Sequence, residues 1–419
     1  MAYRGLGSIS PGVAGGIREQ AYRLLHWWQA RGTAVQEIPL RRNVPGILVD
    51  VTQTTKTDVG TGIQRTVNNL FRHMCSCTDS ILAVRDHRGR LITSYRYMGQ
   101  PGESREQEVS FLAGDRLLLL DSSWEYTGSF SGILEEAGKK GVRVYAVVYD
   151  MFPVQYPELF ASPVFVDNFR SWVDMAFRKA DAVICISRTT ADVVAQYCEK
   201  FSPRGRKTPF PLFYIHMGAD IPGHVQSARP EMEAFVHGGR TFLMVGTLEP
   251  RKGHMVALQA LRKLRGEFGQ ECRLLILGHD GWENDGLRRE MEQPDISASV
   301  LWVRDAADEE LCWAYANADA LIAASMDEGF GLPIIEAASF GLPVICSDIP
   351  IFREVTQGYA NYFRTMDPDA LAACLADWLQ KPDHPDSRRI HIYSWQESAG
   401  EILEILQGKA QPYKVMNCR

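Results

Sequence analysis

The sequence predicts an α/β protein made of two doubly wound domains that face each other across a cleft. Two series of short, near-continuous apolar runs alternate with helical stretches, which is typical of parallel sheets covered on both faces. A glycine- and proline-rich segment, residues 221–239, separates the two series and is the expected linker. Because ligands of open α/β sheets bind beyond the carboxyl ends of the strands, the chemistry is expected in loops that follow strands.

The apolar runs define the expected strands in chain order. The first series is Ile47–Val51, Leu117–Leu120, Val142–Val148, Ala182–Ile186 and Phe213–Met217. The second series is Phe242–Val245, Arg273–Leu277, Val300–Val303, Ala320–Ala323 and Pro343–Cys346. We therefore expect an N-terminal domain at residues 46–225 and a C-terminal domain at residues 226–388. A last segment, residues 389–419, contains a helix that opens at Ser394.

Composition and charge narrow the range of partners and compartments. Lysines and arginines number 45 against 51 aspartates and glutamates, and this net charge of −6 argues against nucleic acid as a partner. The nine cysteines are odd in number and several lie inside apolar runs, as in reduced cytoplasmic proteins. The Cys75-Ser76-Cys77 triplet lacks a second cysteine motif, so no metal site is expected. No apolar run approaches the roughly 18 residues that span a bilayer, and no secretory signal is evident.

Residues 1–45 form an N-terminal extension with a basic, amphipathic helix at Ile17–Ala30. The extension has six arginines against two glutamates, and its helix carries Trp27 and Trp28. Such a helix suits an anionic membrane surface, which would make the protein peripheral at the inner face of the cell membrane. Leucine and tryptophan at helical spacing also suit packing against the protein's own domain, and that interpretation is preferred.

The segment Asp327–Ala337 has the strongest functional pattern in the chain. Gly329 and Gly331 permit a tight turn, and the proline that follows suits the start of a helix, so free amides are expected at a helix N-terminus. Such amides favour an anion. Glu328, in the loop, and Glu336, in the first helical turn, are acceptors suited to sugar and ribose hydroxyls. The alternative is that Glu336 only complements the helix dipole and Glu328 is solvated.

A second loop, Val245–Gly253, reads VGTLEPRKG and follows an expected strand. Arg251 and Lys252 are suited to neutralise a diphosphate, arginine as a bidentate fork and lysine as a point charge. Taken alone, the pair would be an ordinary solvated basic pair. The glycine turn and this loop together make the phosphate interpretation the stronger one.

Together these segments resemble the family-4 retaining glycosyltransferases of the GT-B fold, from about Gly46 to Leu406. The resemblance implies that Glu328 contacts the transferred sugar and that Glu336 binds the donor ribose. It also implies that Gly246, Arg251 and Lys252 lie at the donor diphosphate. The amides around the glycine turn are implied to hold sugar and diphosphate; they belong to Gly329, Phe330, Gly331 and Leu332.

Other segments extend the resemblance. The loop with Gly60, Gly62 and Arg65 looks like the family's glycine-rich loop, which faces the donor phosphates and the acceptor. Tyr149 and Asp150 lie where many members carry a His-Asp pair, and both are expected at the acceptor. Because Tyr149 replaces the histidine, Asp150 is the better candidate to position the acceptor hydroxyl. The backbone of Val303 is implied to contact the nucleotide base. In this fold the last helix crosses back onto the N-terminal domain.

The leading interpretation is transfer of a sugar from a nucleotide diphosphate to a glycan or lipid-linked acceptor, with retention of configuration. The resemblance implies that the leaving diphosphate helps deprotonate the acceptor, so neither a cofactor nor a metal is required. Resemblance to bacterial mannosyltransferases of surface-polysaccharide assembly favours GDP-mannose as donor, while UDP-linked sugars, GDP-fucose and dTDP-rhamnose stay open. The other classes considered are a GT-B epimerase or phosphorylase, and a non-catalytic glycan-binding subunit.

Overall fold

The computed structural model describes residues 40, 42–57, 61–78, 80–94, 106–160, 162–201, 206, 208–219, 227–282 and 284–417. The expected helix Ile17–Ala30 with its two tryptophans, and the loop glycine Gly60, lie outside these residues. Within them the strands form two separate sheets, one in each half of the chain. The prediction of two doubly wound α/β domains is confirmed.

The N-terminal sheet runs in the order β14-β7-β6-β5-β4-β1-β2-β3. Its strands are β1 Ile47–Asp50, β2 Ile81–His87, β3 Arg90–Thr93, β4 Arg116–Leu119, β5 Arg143–Val148, β6 Ala182–Cys185, β7 Phe210–Tyr214 and β14 Lys414–Met416. The pairs are parallel except for β2 with β3 and β7 with β14. Strand β1 lies between β2 and β4, so the sheet reverses its direction of winding there.

The C-terminal sheet is parallel throughout and runs in the order β10-β9-β8-β11-β12-β13. Its strands are β8 Thr241–Val245, β9 Arg273–Leu277, β10 Val300–Val303, β11 Ala320–Ala323, β12 Val344–Ser347 and β13 Asn361–Phe363. The chain winds outward from β8 to β10 and then returns to β11 on the other side of β8. Such a reversal opens a crevice at the carboxyl ends of the two strands, where ligands of this fold class bind.

Four strands were not predicted, namely β2, β3, β13 and β14. They lie toward the edges of the sheets and are short or interrupted by charged residues, so they form no continuous apolar run. The strand expected at Phe213–Met217 was placed too late, because β7 ends at Tyr214. Ile215 and Met217 are apolar because they are buried where the two domains meet.

Helices cover both sheets. They are α1 Thr52–Lys56, α2 Gly62–Cys77, α3 Thr127–Lys139, α4 Phe152–Gln155, α5 Pro163–Lys179, α6 Arg188–Phe201, α7 Pro230–His237, α8 His254–Phe268, α9 Asp285–Met291, α10 Asp308–Asn317, α11 Leu332–Ser339, α12 Pro350–Thr356, α13 Pro368–Gln380 and α14 Trp395–Gln407. The expected linker is not all loop, since α7 forms inside it with a proline in its first turn.

The end of the chain packs on the N-terminal domain. Helix α14 begins with a capping box, in which Ser394 accepts from the Glu397 amide and Glu397 accepts from the Ser394 amide. It packs against α2, and the Tyr145 hydroxyl donates to the Leu406 carbonyl at 3.3 Å. Beyond the helix, β14 pairs antiparallel with β7. The chain therefore crosses between the domains twice, which limits how the cleft opens.

Candidate active site between the two domains

The candidate site lies at the switch point of the C-terminal sheet, where the loops after β8 and β11 meet. The Met326 amide donates to the Arg251 carbonyl at 2.7 Å, which ties one loop to the other. Gly253 has a positive φ of 72°, and a Cβ there would clash with the Ala324 carbonyl. Only glycine permits this approach, and it brings the basic pair against the acidic turn.

Glu328 is held between the two cations that the sequence singled out. Its carboxylate accepts from Lys252 Nζ, from Arg251 at 3.3 Å and from the Ser325 hydroxyl at 2.8 Å. Burial raises the pKa of Glu328, but Lys252 and Arg251 outweigh burial and lower it to about 2. The carboxylate is therefore ionised at every physiological pH, and the two cations are already paired rather than free.

Arg251 also reaches the N-terminal domain. Its Nε pairs with Glu249 at 2.8 Å, and its guanidinium lies 5.1 Å from the centre of the Phe152 ring. Nearby, burial raises the pKa of Asp150 to about 6, although the charge of Arg251 opposes this shift. Asp150 Oδ1 also accepts from the Phe152 amide at 3.1 Å, so this carboxylate supports the local turn and also interacts with the charge of Arg251.

The glycine turn presents four amides of the kind the sequence predicted. In the part of the chain that the structure describes, the amides of residues 329–332 have no protein acceptor. Gly331 has a φ of 101°, which suits glycine. The proline stands at the second helical position rather than the first, and Glu336 lies beyond the first turn, which corrects its expected place. The turn still ends at a helix N-terminus, where anions are stabilised.

Glu336 is buried and joins the two domains. Its carboxylate accepts from the Tyr315 hydroxyl at 2.7 Å and from the Arg65 guanidinium of α2 at 2.9 Å. The charge of Glu336 raises the pKa of Arg65. Arg65 was expected at the acceptor, but the structure pairs it with the residue expected to hold the donor ribose.

Tyr149 does not present its side chain to the cleft. The ring is buried, and its hydroxyl donates to the Leu120 carbonyl at 2.7 Å inside the N-terminal domain. Burial also raises the pKa of this phenol. Only the backbone carbonyl of Tyr149 reaches the turn, because a Cβ on Gly329 would clash with it. The expectation that the phenol meets the acceptor is therefore wrong, and of the two residues only Asp150 is influenced by the charge of Arg251.

Three further predicted positions are backbone features. Gly62 is the first residue of α2, whose N-cap is Thr61. Gly246 has a φ of 140°, and a Cβ there would lie 3.7 Å from the side chain of Lys252. The Val303 carbonyl accepts from the Gly278 amide at 3.1 Å, so that oxygen already has a partner.

Sequence reasoning missed the contacts that close the cleft. The Ser187 hydroxyl donates to the Gly329 carbonyl at 2.8 Å, and the Glu354 carboxylate accepts from two amides at the start of α6. Tyr156 donates to Asp327 at 3.3 Å, and the Trp282 indole donates to the Leu159 carbonyl at 3.2 Å. The aromatic segment around Tyr156 and the loop with Trp282 were the available signals, since both follow strands.

His254 was also missed, although it follows the Lys252-Gly253 pair directly. It is the first residue of α8, and burial together with the charge of Lys252 lowers its pKa to about 3. The imidazole is therefore neutral at physiological pH. Among the residues that the structure describes, no three or more His, Cys, Asp or Glu side chains cluster in a way that could hold a metal ion.

Two Rossmann-like domains with a charged site at the switch point define a protein of the GT-B fold. Solved structures agree: the chain aligns with Anabaena HepE in complex with UDP at a TM-score of 0.62 and 14% identity, covering 87% of this chain and 100% of that one. It aligns with sucrose-phosphate synthase from Thermosynechococcus elongatus at a TM-score of 0.61 and 17% identity, covering 87% and 99%.

Residues 227–395, most of the C-terminal domain, match the family Glycosyl transferases group 1. It is 33% identical over 396 residues to the serotype-specific mannosyltransferase WbdA of Escherichia coli, covering 89% of this chain and 46% of WbdA. It is 26% identical over 236 residues to the O-antigen chain mannosyltransferase RfbU of Salmonella typhimurium, covering 56% and 61%. The chain thus spans about half the length of the WbdA relatives it matches.

Proposed function

We propose that the protein is a retaining glycosyltransferase of bacterial surface-polysaccharide assembly that transfers mannose from GDP-mannose to a saccharide hydroxyl, on a glycan or a lipid-linked carrier. The observation that carries the proposal is that Arg251 and Lys252 pair with Glu328, directly before the amides of residues 329–332, which have no protein acceptor among the described residues. Cations and amides together suit a diphosphate. The likeness to WbdA and RfbU, both named as mannosyltransferases, supports mannose as the sugar.

Because Arg251 and Lys252 are already paired with carboxylates, the donor diphosphate would replace those carboxylates as their partner. Arg251 and Lys252 bring two positive charges, and Glu249 and Glu328 bring two negative ones. In this proposal the diphosphate draws Lys252 toward itself, while Glu328 is released to accept from hydroxyls of the transferred sugar. Glu336, with Arg65 beside it, would hold the donor ribose.

In the transfer step the acceptor oxygen bonds to the anomeric carbon on the face from which the diphosphate leaves. The bond between that carbon and the diphosphate oxygen breaks, and the electron pair stays with the diphosphate. The acceptor proton passes to that leaving oxygen, so no protein nucleophile is needed. Lys252 and Arg251 stabilise the growing negative charge, and Asp150, when ionised, orients the acceptor hydroxyl.

The proposal includes contact of residues 1–45 with an anionic membrane surface. The arginine excess and Trp27-Trp28 support it, whereas Arg42 pairs with Asp115 of the N-terminal domain instead. None of the helices in the described ranges is long and apolar enough to cross a bilayer. Sedimentation with anionic vesicles at rising salt should separate the intact chain from a Trp27→Ala/Trp28→Ala variant, and equal sedimentation would contradict the contact.

A panel of nucleotide sugars tests the proposed activity. Release of free nucleotide and mass gain of mannose-terminated acceptors should occur with GDP-mannose and not with UDP-glucose or dTDP-rhamnose. Thermal unfolding with GDP or UDP adds a test that needs no acceptor, since a ligand at 100 times its Kd stabilises the fold by about 2.7 kcal/mol. Stabilisation by UDP alone would contradict GDP-mannose as the donor. Absence of turnover with every donor would contradict the proposed transferase activity.

A further inference from the structure

We propose that Ser187 and Thr190, in the N-terminal domain, are positioning residues for the donor turn of the C-terminal domain. They hold the carbonyl oxygen of Gly329 and thereby orient the amide of Phe330 toward the donor. The inference rests on the proposed function, because it names residues that complete the same site. Neither residue belongs to the motifs from which the site was predicted.

The contacts are short and buried. The Ser187 hydroxyl lies 2.8 Å from the Gly329 oxygen and the Thr190 hydroxyl lies 3.2 Å from it. Both side chains are buried. The Ser187 hydroxyl also lies 2.9 Å from the Thr190 hydroxyl, so its one proton has two acceptors, whereas Thr190 donates to the Gly329 oxygen. A carbonyl oxygen has two lone pairs, so it accepts from both hydroxyls when Ser187 directs its proton to it. The Thr190 amide donates to the Ser187 oxygen at 3.0 Å, which fixes that side chain at the start of α6.

Hydrogen bonds to one carbonyl oxygen fix the orientation of the whole peptide group. The bond between Gly329 and Phe330 is part of a planar unit, in which a trans peptide directs its carbonyl and its N–H to opposite sides. With the oxygen taken by the N-terminal domain, the Phe330 amide points the other way. That amide is one of the four without a protein acceptor in the described residues. A hydrogen-bond donor fixed before the reaction stabilises developing charge without reorganising.

These hydrogen bonds form because the two domains are in contact at this point. The absence of a side chain on Gly329 lets it approach the Tyr149 carbonyl. On the same helix start, Glu354 of α12 accepts from the amides of Arg188 and Thr189, each at 2.8 Å. It follows that the donor turn is completed by both domains, and that opening the cleft would free the Phe330 amide to rotate.

Thr190 offers a matched pair of variants. Thr190→Val keeps the shape and loses the hydroxyl, whereas Thr190→Ser keeps the hydroxyl. We expect Thr190→Val to lower kcat for mannose transfer about 3- to 10-fold, the range for one lost hydrogen bond, with the donor KM changed less than about twofold. Thr190→Ser should stay within about twofold of wild type. Ser187→Ala should lower kcat further, because it also removes the cap of α6.

Melting temperature and hydrogen exchange complete the test. Exchange across residues 326–335 should be faster in Thr190→Val than in Thr190→Ser, a readout that needs no turnover. The inference is overturned if Thr190→Val keeps wild-type kcat and exchange, or if both Thr190 variants lose activity only in proportion to melting temperature. Failure of the proposed function would look different, since wild type itself would then release no nucleotide from any donor.

Discussion

Each domain buries acidic side chains at the carboxyl ends of its central strands, but their pKa values are shifted in opposite directions. In the N-terminal domain Asp50 is the last residue of β1 and Asp121 follows β4, and burial together with the charge of Asp121 raises the pKa of Asp50 to about 7. In the C-terminal domain Glu328 follows β11, and its pKa is lowered to about 2. Both carboxylates are removed from water, so burial alone does not explain the difference.

The difference lies in the hydrogen-bond donors. Asp50 accepts from the amide and hydroxyl of Thr52 and from the Ser123 hydroxyl, and Asp121 accepts from the amide and hydroxyl of Thr54. These neutral donors hydrogen-bond the carboxylate oxygens but do not neutralise the negative charge of Asp50 and Asp121. Glu328 instead meets two cations. The N-terminal pair therefore anchors α1 to the sheet, while the C-terminal group keeps the charges that a diphosphate can exchange.

The largest effect on catalysis is expected when Lys252 is replaced. Lys252→Ala should lower kcat about 10²- to 10³-fold, because in the proposed mechanism it removes a charge that stabilises the leaving diphosphate. Glu336→Ala should mainly raise the donor KM, because the ribose that Glu336 is proposed to bind would be held equally in ground and transition states. Lys263→Ala, which removes a partly exposed lysine of α8 paired with Asp369, is the matched control and should leave both parameters unchanged. Wild-type kinetics in the Lys252 and Glu336 variants would contradict the site.

The next prediction compares how much Glu328 and Asp50 each contribute to the free energy of unfolding. Glu328→Gln should destabilise the protein by about 3 kcal/mol, because it leaves Lys252 without its partner in a largely buried place. Asp50→Asn should cost only about 1 kcal/mol at neutral pH, since Asp50 is close to half protonated there and its donors are neutral. Denaturant unfolding of the two variants side by side measures both. Equal losses would show that the charge state of the two groups does not govern their contribution.

Asp150 tests the acceptor side of the cleft. Asp150→Asn should lower mannose transfer about 10²-fold while donor binding stays nearly intact. Since burial raises the pKa of Asp150 to about 6, wild-type activity should fall as pH drops below 6, where the carboxylate gains a proton.

Tyr149→Phe is the comparison for this variant, because the Tyr149 hydroxyl bonds inside the N-terminal domain. It should change transfer little. If Asp150→Asn instead lowers the melting temperature and abolishes donor binding, then the bond to the Phe152 amide is its role, and Asp150 belongs to the fold rather than the site.

The smallest effect is a slope of stability with pH. Because the folded-state pKa of Asp50 lies above its usual value of 3.8, folding takes up a proton between about pH 4 and 7. This contribution is fully present at low pH and is lost as pH rises through 7, by at most about 1.4 kcal/mol per pH unit. Unfolding free energies at pH 5 and 7.5 should show a shallower loss in Asp50→Asn than in wild type. Parallel slopes would contradict the raised pKa.

The sequence was informative where residues act locally. Near-continuous apolar runs predicted the central strands, and the glycine turn with Arg251 and Lys252 predicted where the charged loops converge, because both follow strands of one sheet. Contacts between distant segments left no such pattern. Ser187 meets Gly329 across 142 residues, and Glu354 meets Arg188 across 166. A lone serine or glutamate indicates nothing until the fold places its partner.

Replacement of histidine by Tyr149 misled the prediction for a related reason. The position follows a strand and was expected to face the cleft, but its hydroxyl finds the Leu120 carbonyl inside the N-terminal domain. A buried phenol needs such a partner, and only the packed structure shows which acceptor is within reach.

The most direct test of the central claim is calorimetric titration of GDP into wild type, Lys252→Ala and Asp50→Asn. GDP is the leaving group of the proposed reaction, so its binding reports on the residues that compensate the charge of a diphosphate. We predict that Lys252→Ala weakens GDP binding at least tenfold, about 1.4 kcal/mol, while Asp50→Asn binds GDP as wild type does. Equal GDP affinity in wild type and Lys252→Ala would contradict the assignment of the diphosphate to the C-terminal cluster.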